Sequence, residues 1–221
     1  MTKRQLILNG YKTAEHGLWT LSSCKITKAT QVQSFVSVPG RFSPLDLSTA
    51  LTDGVPYYGS AKLEAVLESS EGTRAERQER IEHMTNLLDG YSVNIIHPDH
   101  PERYLVGRVT VTKQYNDLVH GAVKITATCE PWLYNAEETV LTVEATSTAQ
   151  IVELTNSGRL AMAPKVEVYD EATLAYGDRT QSLSDGTYYL PDLFLTPGTH
   201  EVVLSGSGMV RFTYREGVLA E

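Results

Sequence analysis

Tyr91 to Val109 reads YSVNIIHPDHPERYLVGRV, and two incompatible readings compete for it. At its centre His97-Pro98-Asp99-His100 sets two imidazoles and a carboxylate within four residues, the donor types that bind a transition metal or move protons. The flanks point elsewhere. Tyr91, Val93 and Ile95 share one alternating face, and Leu105, Gly107, Val109 and Val111 share another; a period of two marks strands with one buried side. His97 continues the face of Val93 and Ile95, so it closes a strand. Pro98 and Pro101 each remove a backbone donor and bar continuation of a ladder. A metal would need a third ligand and a placed second shell, and nothing nearby signals either. The stretch predicts strand, rigid surface loop, strand, with no metal and a melting temperature indifferent to EDTA.

Working outward, the same alternation recurs. Leu63, Ala65 and Leu67 alternate with Lys62, Glu64 and Glu68, and Val119 to Cys129 places Val123, Ile125, Ala127 and Cys129 on one face. Leu6-Ile7-Leu8 runs into Asn9-Gly10, a strong hairpin signal, and Pro39-Gly40 marks a second turn. One helix interrupts the strands, in GTRAERQERIEHMTNLLDG (72–90). Thr73 followed by Glu76 is a capping box, and Gly90 is a favoured residue just past a helix end. Ile81, Met84, Leu87 and Leu88 form its expected apolar stripe, facing a polar arc of Gln78, Glu79, Glu82, Thr85 and Asp89. Arg77 and Arg80 intrude on the apolar side, so their stems must snorkel or the first turn leaves the core.

Composition narrows the classes. With 41% apolar and 21% charged residues, the chain reads as globular rather than disordered. No apolar run approaches the ~20 residues of a membrane-spanning helix, and the N-terminus lacks the apolar core of a signal peptide. A net charge of −8 argues against a nucleic-acid-binding surface, which is normally basic. Two cysteines, Cys24 and Cys129, are too few for a disulfide framework. Cys129 reads as a small buried hydrophobe and Cys24 as a free thiol.

Pro131 is expected to break the last strand of the first half, and Asn135 to Glu138 reads as a short connection. Beyond Thr139 only strands are signalled: Val140–Val143, Ile151–Leu154, Val166–Tyr169, Tyr188–Leu190, Val202–Leu204 and Val210–Tyr214. Turns at Ser157-Gly158, Asp185-Gly186, Pro197-Gly198 and Gly206-Ser207-Gly208 separate them, the spacing of a β-sandwich. A piece of about 80 residues buries only a little over 60% of its unfolded surface and is marginal alone.

Catalytic motifs do not assemble. His200-Glu201 opens like a zinc-protease helix, but Leu204 stands where the second imidazole belongs and the run alternates as a strand. Gly206-Ser207-Gly208 is half a dinucleotide fingerprint with no helix after it. Glu137 and Glu138 are neighbours in an extended chain and point apart, unlike a glycosidase pair; they read as solvated charge. No catalytic residue, metal site or cofactor is expected. Trp132, Tyr134, Tyr188, Tyr189 and Tyr214 offer flat faces on which sugar rings could stack. The competing reading has Trp132 filling a domain junction and one of Tyr188 and Tyr189 pointing inward.

The order of features carries more than any single motif. LILNGYKT (6–13) and a Trp19 strand lead to Val38-Pro39-Gly40 with Asp46-Leu47, then to the Tyr57-Tyr58 segment and the Leu63 strand. After them come the helix ending in Asp89-Gly90, the Tyr104-to-Arg108 strand with its Gly-Arg pair, and the exit Cys129 to Tyr134. This succession resembles the distal tail proteins of long, non-contractile-tailed bacteriophages. YYLPDLFLTPGTHEVVLSGSGMVRFTYREGVL (188–219) is similar to the galectin-like sandwich such proteins carry. Phe42-Ser43-Pro44 departs from the family, which has a more polar turn there.

The resemblance implies a mainly β protein with two domains. Residues 1–134 would be a sandwich or barrel-like ring-forming domain with one packed helix, and 135–221 a galectin-like β-sandwich. It implies a non-enzymatic hexameric ring at the phage tail tip, assembled in the host bacterial cytoplasm. Partners would be further copies of the chain, the tail tube protein, a hub or tail-associated lysin, and a receptor-binding or other baseplate protein. DNA would pass through the channel without specific binding, eased by an acidic lumen. On this reading the His97 loop could touch a ring or tube neighbour. The competing classes are a carbohydrate-binding module, with Trp132, Tyr134, Tyr188 and Tyr189 as candidate glycan or partner contacts, a tube or hub component placed elsewhere in the tail, and a hydrolase concealed in the sandwich.

Overall fold

A computed structural model describes residues 4–221 apart from Leu51 and Asp53. The chain is mainly β and divides into two compact units, one running through Leu133 and reclaiming Leu219–Glu221, the other Tyr134–Val218.

In the first unit β1 (Ile7–Leu8) and β2 (Tyr11–Lys12) form a hairpin. Its turn residues Asn9 and Gly10 have φ of +48° and +83°, the double left-handed conformation of a type I′ turn. A four-residue helix, α1 (Thr13–His16), follows without a sequence signal, and then β3 (Thr20–Thr27). β4 (Phe35–Val36) and β5 (Leu45–Asp46) pair only with each other, across the Pro39-Gly40 turn. β6 (Ala61–Ser69), α2 (Arg74–Leu88), β7 (Ser92–Ile96), β8 (Arg103–Asn116) and β9 (Gly121–Asn135) complete the unit. The main sheet has the order β2-β1-β7-β8-β9-β6-β3. Leu63, Ala65, Leu67, Val93, Ile95, Leu105, Val109, Val123, Ile125 and Ala127 are buried together on it, as the period-two pattern predicts. Tyr91 is not among them: it is exposed and precedes β7.

Helix α2 packs against β8, with its capping box formed as expected: Thr73 N–H donates to Glu76 Oε2 at 2.7 Å, and Glu76 N–H to Thr73 Oγ1 at 3.3 Å. Its buried stripe differs from the predicted one. Arg77, Ile81, Met84 and Leu88 are buried, whereas Leu87 is 47% exposed. At 100° per residue the four buried positions span about 60°, and Leu87 lies about 60° beyond them. Arg77 and Leu88 therefore flank the centre of the buried arc, each about 10° from it.

Pro131 does not break β9, which runs through it to Asn135. Proline lacks a donor but keeps its acceptor, and Pro131 O accepts the Ala220 N–H at 2.9 Å. The last three residues thus belong to the first unit rather than to the sandwich assigned as 135–221.

The second unit holds β10 (Thr139–Glu144), β11 (Gln150–Asn156), β12 (Lys165–Tyr169), β13 (Ala172–Tyr176), β14 (Arg179–Leu183), β15 (Gly186–Tyr189), β16 (Gly198–Gly206) and β17 (Met209–Tyr214), while the final strand β18 (Gly217–Leu219) pairs with β9 in the main sheet. Two four-stranded sheets, β10-β17-β12-β15 and β11-β16-β13-β14, share one core in which Val166, Val168, Val210 and Phe212 meet Leu154, Leu174, Val202 and Leu204. That makes a β-sandwich. The β13–β14 hairpin escaped the sequence reading because β14 is Arg-Thr-Gln-Ser before Leu183 and offers no apolar alternation. Among the described residues no helix is long and apolar enough to cross a membrane.

Candidate functional site

Motifs quoted separately from the sequence converge on one cluster in the first unit. Gly107 on β8 lies against Cys129 on the neighbouring β9: a Cβ placed on Gly107 would stand 2.5 Å from Cys129 Sγ and 3.2 Å from Thr128 O. The end of α2 grips the same strand. Gly90, at φ +79°, donates its N–H to Val109 O at 2.8 Å, while Asp89 Oδ1 accepts the Val111 N–H at 2.8 Å. Arg108 reaches back to Gly90 O. Burial pushes the Cys129 thiol up to about 11, and Cys24, half-buried, rises to about 11 for the same reason. Both are free and ill-suited to nucleophilic work, which needs the thiolate.

Arg77 is a buried cation that the sequence flagged only as an anomaly. It is fully buried and donates to three oxygens: Nε to Asn116 Oδ1 (3.1 Å), Nη1 to Gly72 O (2.6 Å) and Nη2 to Asp117 O (2.8 Å). Charge-assisted bonds to several acceptors offset the desolvation of a guanidinium. Asp117 Oδ1 in turn accepts the N–H groups of Val119 (2.8 Å) and His120 (2.6 Å), and these bonds hold its carboxyl below the usual range. Arg77 thus ties the first turn of α2 to the β8–β9 turn, whose tip leaves Leu118 85% exposed.

The His97 loop is tighter than a plain surface turn. His97 is 7% exposed, and its Nδ1 accepts the Asp99 N–H at 3.1 Å; Asp99 pairs with Arg4 at 2.8 Å. Burial lowers the His97 pKa more than the Asp99 carboxylate raises it. The His100 ring lies 6.2 Å from that of His97. Among the described residues no group of three or more His, Cys, Asp or Glu side chains is placed to hold a metal.

The aromatic candidates fall in different settings. Trp132 meets Tyr58 edge-on at 5.7 Å, and Tyr134, two residues on, is half-buried near the end of β9. On β15, Tyr188 packs on the sandwich core and donates its hydroxyl to Ser184 O at 3.0 Å, while Tyr189 is 68% exposed. Adjacent strand residues point to opposite faces, so these two rings form no common platform. Tyr214 is buried, its hydroxyl on Thr155 O at 2.7 Å. His200 lies on a strand, its ring held by the Tyr176 hydroxyl (3.1 Å) and Thr196 O (2.8 Å). Glu138 is not simply solvated: it pairs with Arg215 at 3.0 Å.

The feature that sequence reading missed is the β4–β5 ribbon. Val32, Phe35, Val36, Val38, Leu47 and Tyr57 are exposed, and Phe42 fully so. Between Lys28 and Asp46 the sole charged residue is Arg41, although about one residue in five of the chain is charged. Depletion of charge with exposed aromatics is the signature of an interface core, not of a solvated loop. Two- and three-residue apolar runs cannot reveal their exposure locally.

The fold, over both units, is that of the phage distal tail proteins the sequence resembles. The crystal structure of Dit (gp 19.1) from phage SPP1, described as a paradigm of the hub adsorption apparatus of phages infecting Gram-positive bacteria, matches with a TM-score of 0.69. The match covers 97% of this chain and 99% of that one at 14% sequence identity. No protein-family model and no curated protein sequence matches the chain.

Proposed function

We propose that this protein is a structural component of a phage tail tip, a non-enzymatic hexameric ring joining the end of the tail tube to the baseplate or host-adhesion apparatus. The observation that carries the proposal is the charge-poor, exposed β4–β5 ribbon on a chain with the fold of a tail hub protein. A ring requires heterologous contacts, two different patches on each subunit that close on themselves. The ribbon is one patch, and the edge strand β3 of the main sheet is a natural element of the other. The first unit would form the ring and channel, and the second, read as galectin-like, would face outward toward a receptor-binding or other baseplate protein. The tail tube and a hub or tail-associated lysin protein would contact the ring's two faces. DNA would pass without specific binding, the net charge of −8 favouring a lumen that repels phosphates. Its place would be the virion, after assembly in the host cytoplasm.

Light scattering coupled to size exclusion tests the reading. The expected species is a closed oligomer of six chains, and Phe35→Ser with Phe42→Ser should release monomers without lowering the melting temperature. A wild-type chain that stays monomeric at high concentration, with and without the tail tube and hub proteins, would overturn it. The four rings Trp132, Tyr134, Tyr188 and Tyr189 are proposed contacts for a glycan or protein partner, and Tyr189 with its open face is the first to substitute.

A further inference from the structure

The two outer faces of the second unit's sandwich carry charge differently. Twelve carboxylate side chains and five lysines or arginines lie between Tyr134 and Val218. On the β10-β17-β12-β15 sheet the cations are matched: Glu167 pairs with Lys165 at 3.0 Å and lies 4.0 Å from Arg211 across the strands. The β11-β16-β13-β14 sheet is different. Val152, Leu154, Val202 and Leu204 face the core, so the residues between them, Ile151, Glu153, Glu201 and Val203, point outward. Glu153 stands directly opposite Glu201, and Ile151 opposite Val203, which has Ala175 on its other side. By register no lysine or arginine shares that face. Both glutamates are exposed, Ile151 is 65% exposed and Val203 38%. Like charges directly opposite one another weaken a sheet, so folding does not account for this pair. Local choices that oppose the fold belong to functional surfaces.

We propose that this sheet face docks a protein partner through a basic segment, whose arginine or lysine meets Glu153 and Glu201 while an adjoining apolar side chain covers Ile151 and Val203. The carboxylate row and the apolar row are two residues apart, about 7 Å along a strand. Residues i and i+4 of a helix lie about 6 Å apart along its axis and match that spacing. An arginine fork can donate to both carboxylates at once and ends their repulsion. The inference rests on the tail-tip reading only for the partner's place, as the protein held by the outward unit. Salt separates the two contacts: apolar ring contacts through the ribbon gain with it, whereas ion-paired docking loses.

The test is fluorescence anisotropy on the full-length protein. The probe is a labelled alanine-rich helical peptide with arginine and leucine four residues apart, alongside the same peptide with glutamate for arginine. The arginine peptide should bind, and bind more weakly as sodium chloride rises; the glutamate peptide should not bind. Glu153→Gln with Glu201→Gln should weaken binding five-fold or more without lowering the melting temperature, and Ile151→Ser should weaken it as well. Glu137→Gln with Asp185→Asn removes equal charge elsewhere on the unit and should leave binding at the wild-type value. Equal loss in that control would reduce the attraction to net charge, and equal binding of both peptides would reduce it to a bare apolar patch; either result overturns the proposal. It is overturned too if the arginine peptide does not bind, or if calcium displaces it and assigns the glutamate pair to a divalent cation. The Phe35→Ser, Phe42→Ser variant should still bind the peptide, so a failed ring and a failed docking face are read separately.

Discussion

A single methyl group tests the cluster at Gly107. With Cys129 Sγ 2.5 Å from the position of an added Cβ, Gly107→Ala overpacks a rigid sheet and should cost about 1–3 kcal/mol, measured by urea unfolding. Cys129→Ala removes the sulfur but leaves Thr128 O in place. The double variant should therefore be more stable than the sum of the two single losses predicts, the sign of a contact rather than two independent defects. His97 gives a pH signature. Burial favours its neutral form, so its folded pKa lies below the unfolded value of 6.5. Its stabilising contribution is whole above that pH and is lost as the pH falls through the lower folded pKa. Asp99, Arg4 and His100 are the charged or titratable groups that act on it. Unfolding free energies measured from pH 7.5 down to 5 should decline, and decline less in His97→Asn, whose amide oxygen takes the place of Nδ1 and can still accept the Asp99 N–H.

At the scale of elements, α2 is anchored at both ends by residues of different legibility. Thr73→Ala removes the cap that sequence spacing announces and should cost about 1 kcal/mol. Arg77→Met should cost more, about 2–4 kcal/mol, because three oxygens lose a charged donor and two of them are backbone carbonyls that cannot turn away. The loss should be local in character: the Val119 and His120 amides, held by Asp117, should exchange with solvent faster in Arg77→Met. Arg77→Lys should fall between, since one ammonium cannot span three divergent acceptors. An arginine amid an apolar stripe was readable as a conflict. Its resolution was not, because the acceptors Asn116 and Asp117 lie some forty residues further along the chain.

For the whole molecule, the proposed assembly has a salt dependence opposite to that of an ion-paired one. Each chain carries −8, so subunits repel at low ionic strength, while the ribbon offers apolar surface with one cation, Arg41, and one carboxylate, Asp46. Salt screens the repulsion, and excluded salts such as sulfate strengthen apolar burial. Raising sodium chloride or ammonium sulfate should shift the population toward the oligomer; dissociation at high salt would show that charge pairs hold it together.

The sequence by itself determined most of the longer strands of both units, the capped helix, the Asn9-Gly10 hairpin and the order of motifs that announced the fold. Those signals are local: alternation, capping and left-handed turns depend on neighbours within a few residues. Only the tertiary structure decided that Gly107 meets Cys129, that Arg77 rather than Leu87 fills the buried face of α2, that β9 passes through Pro131, and that Phe42 finds no cover. Each of these depends on which distant segment arrives opposite, and burial belongs to that pairing rather than to the residue. The polar strand β14 shows the limit most plainly: without an apolar period it is silent in sequence, and its pairing with β13 alone makes it a strand.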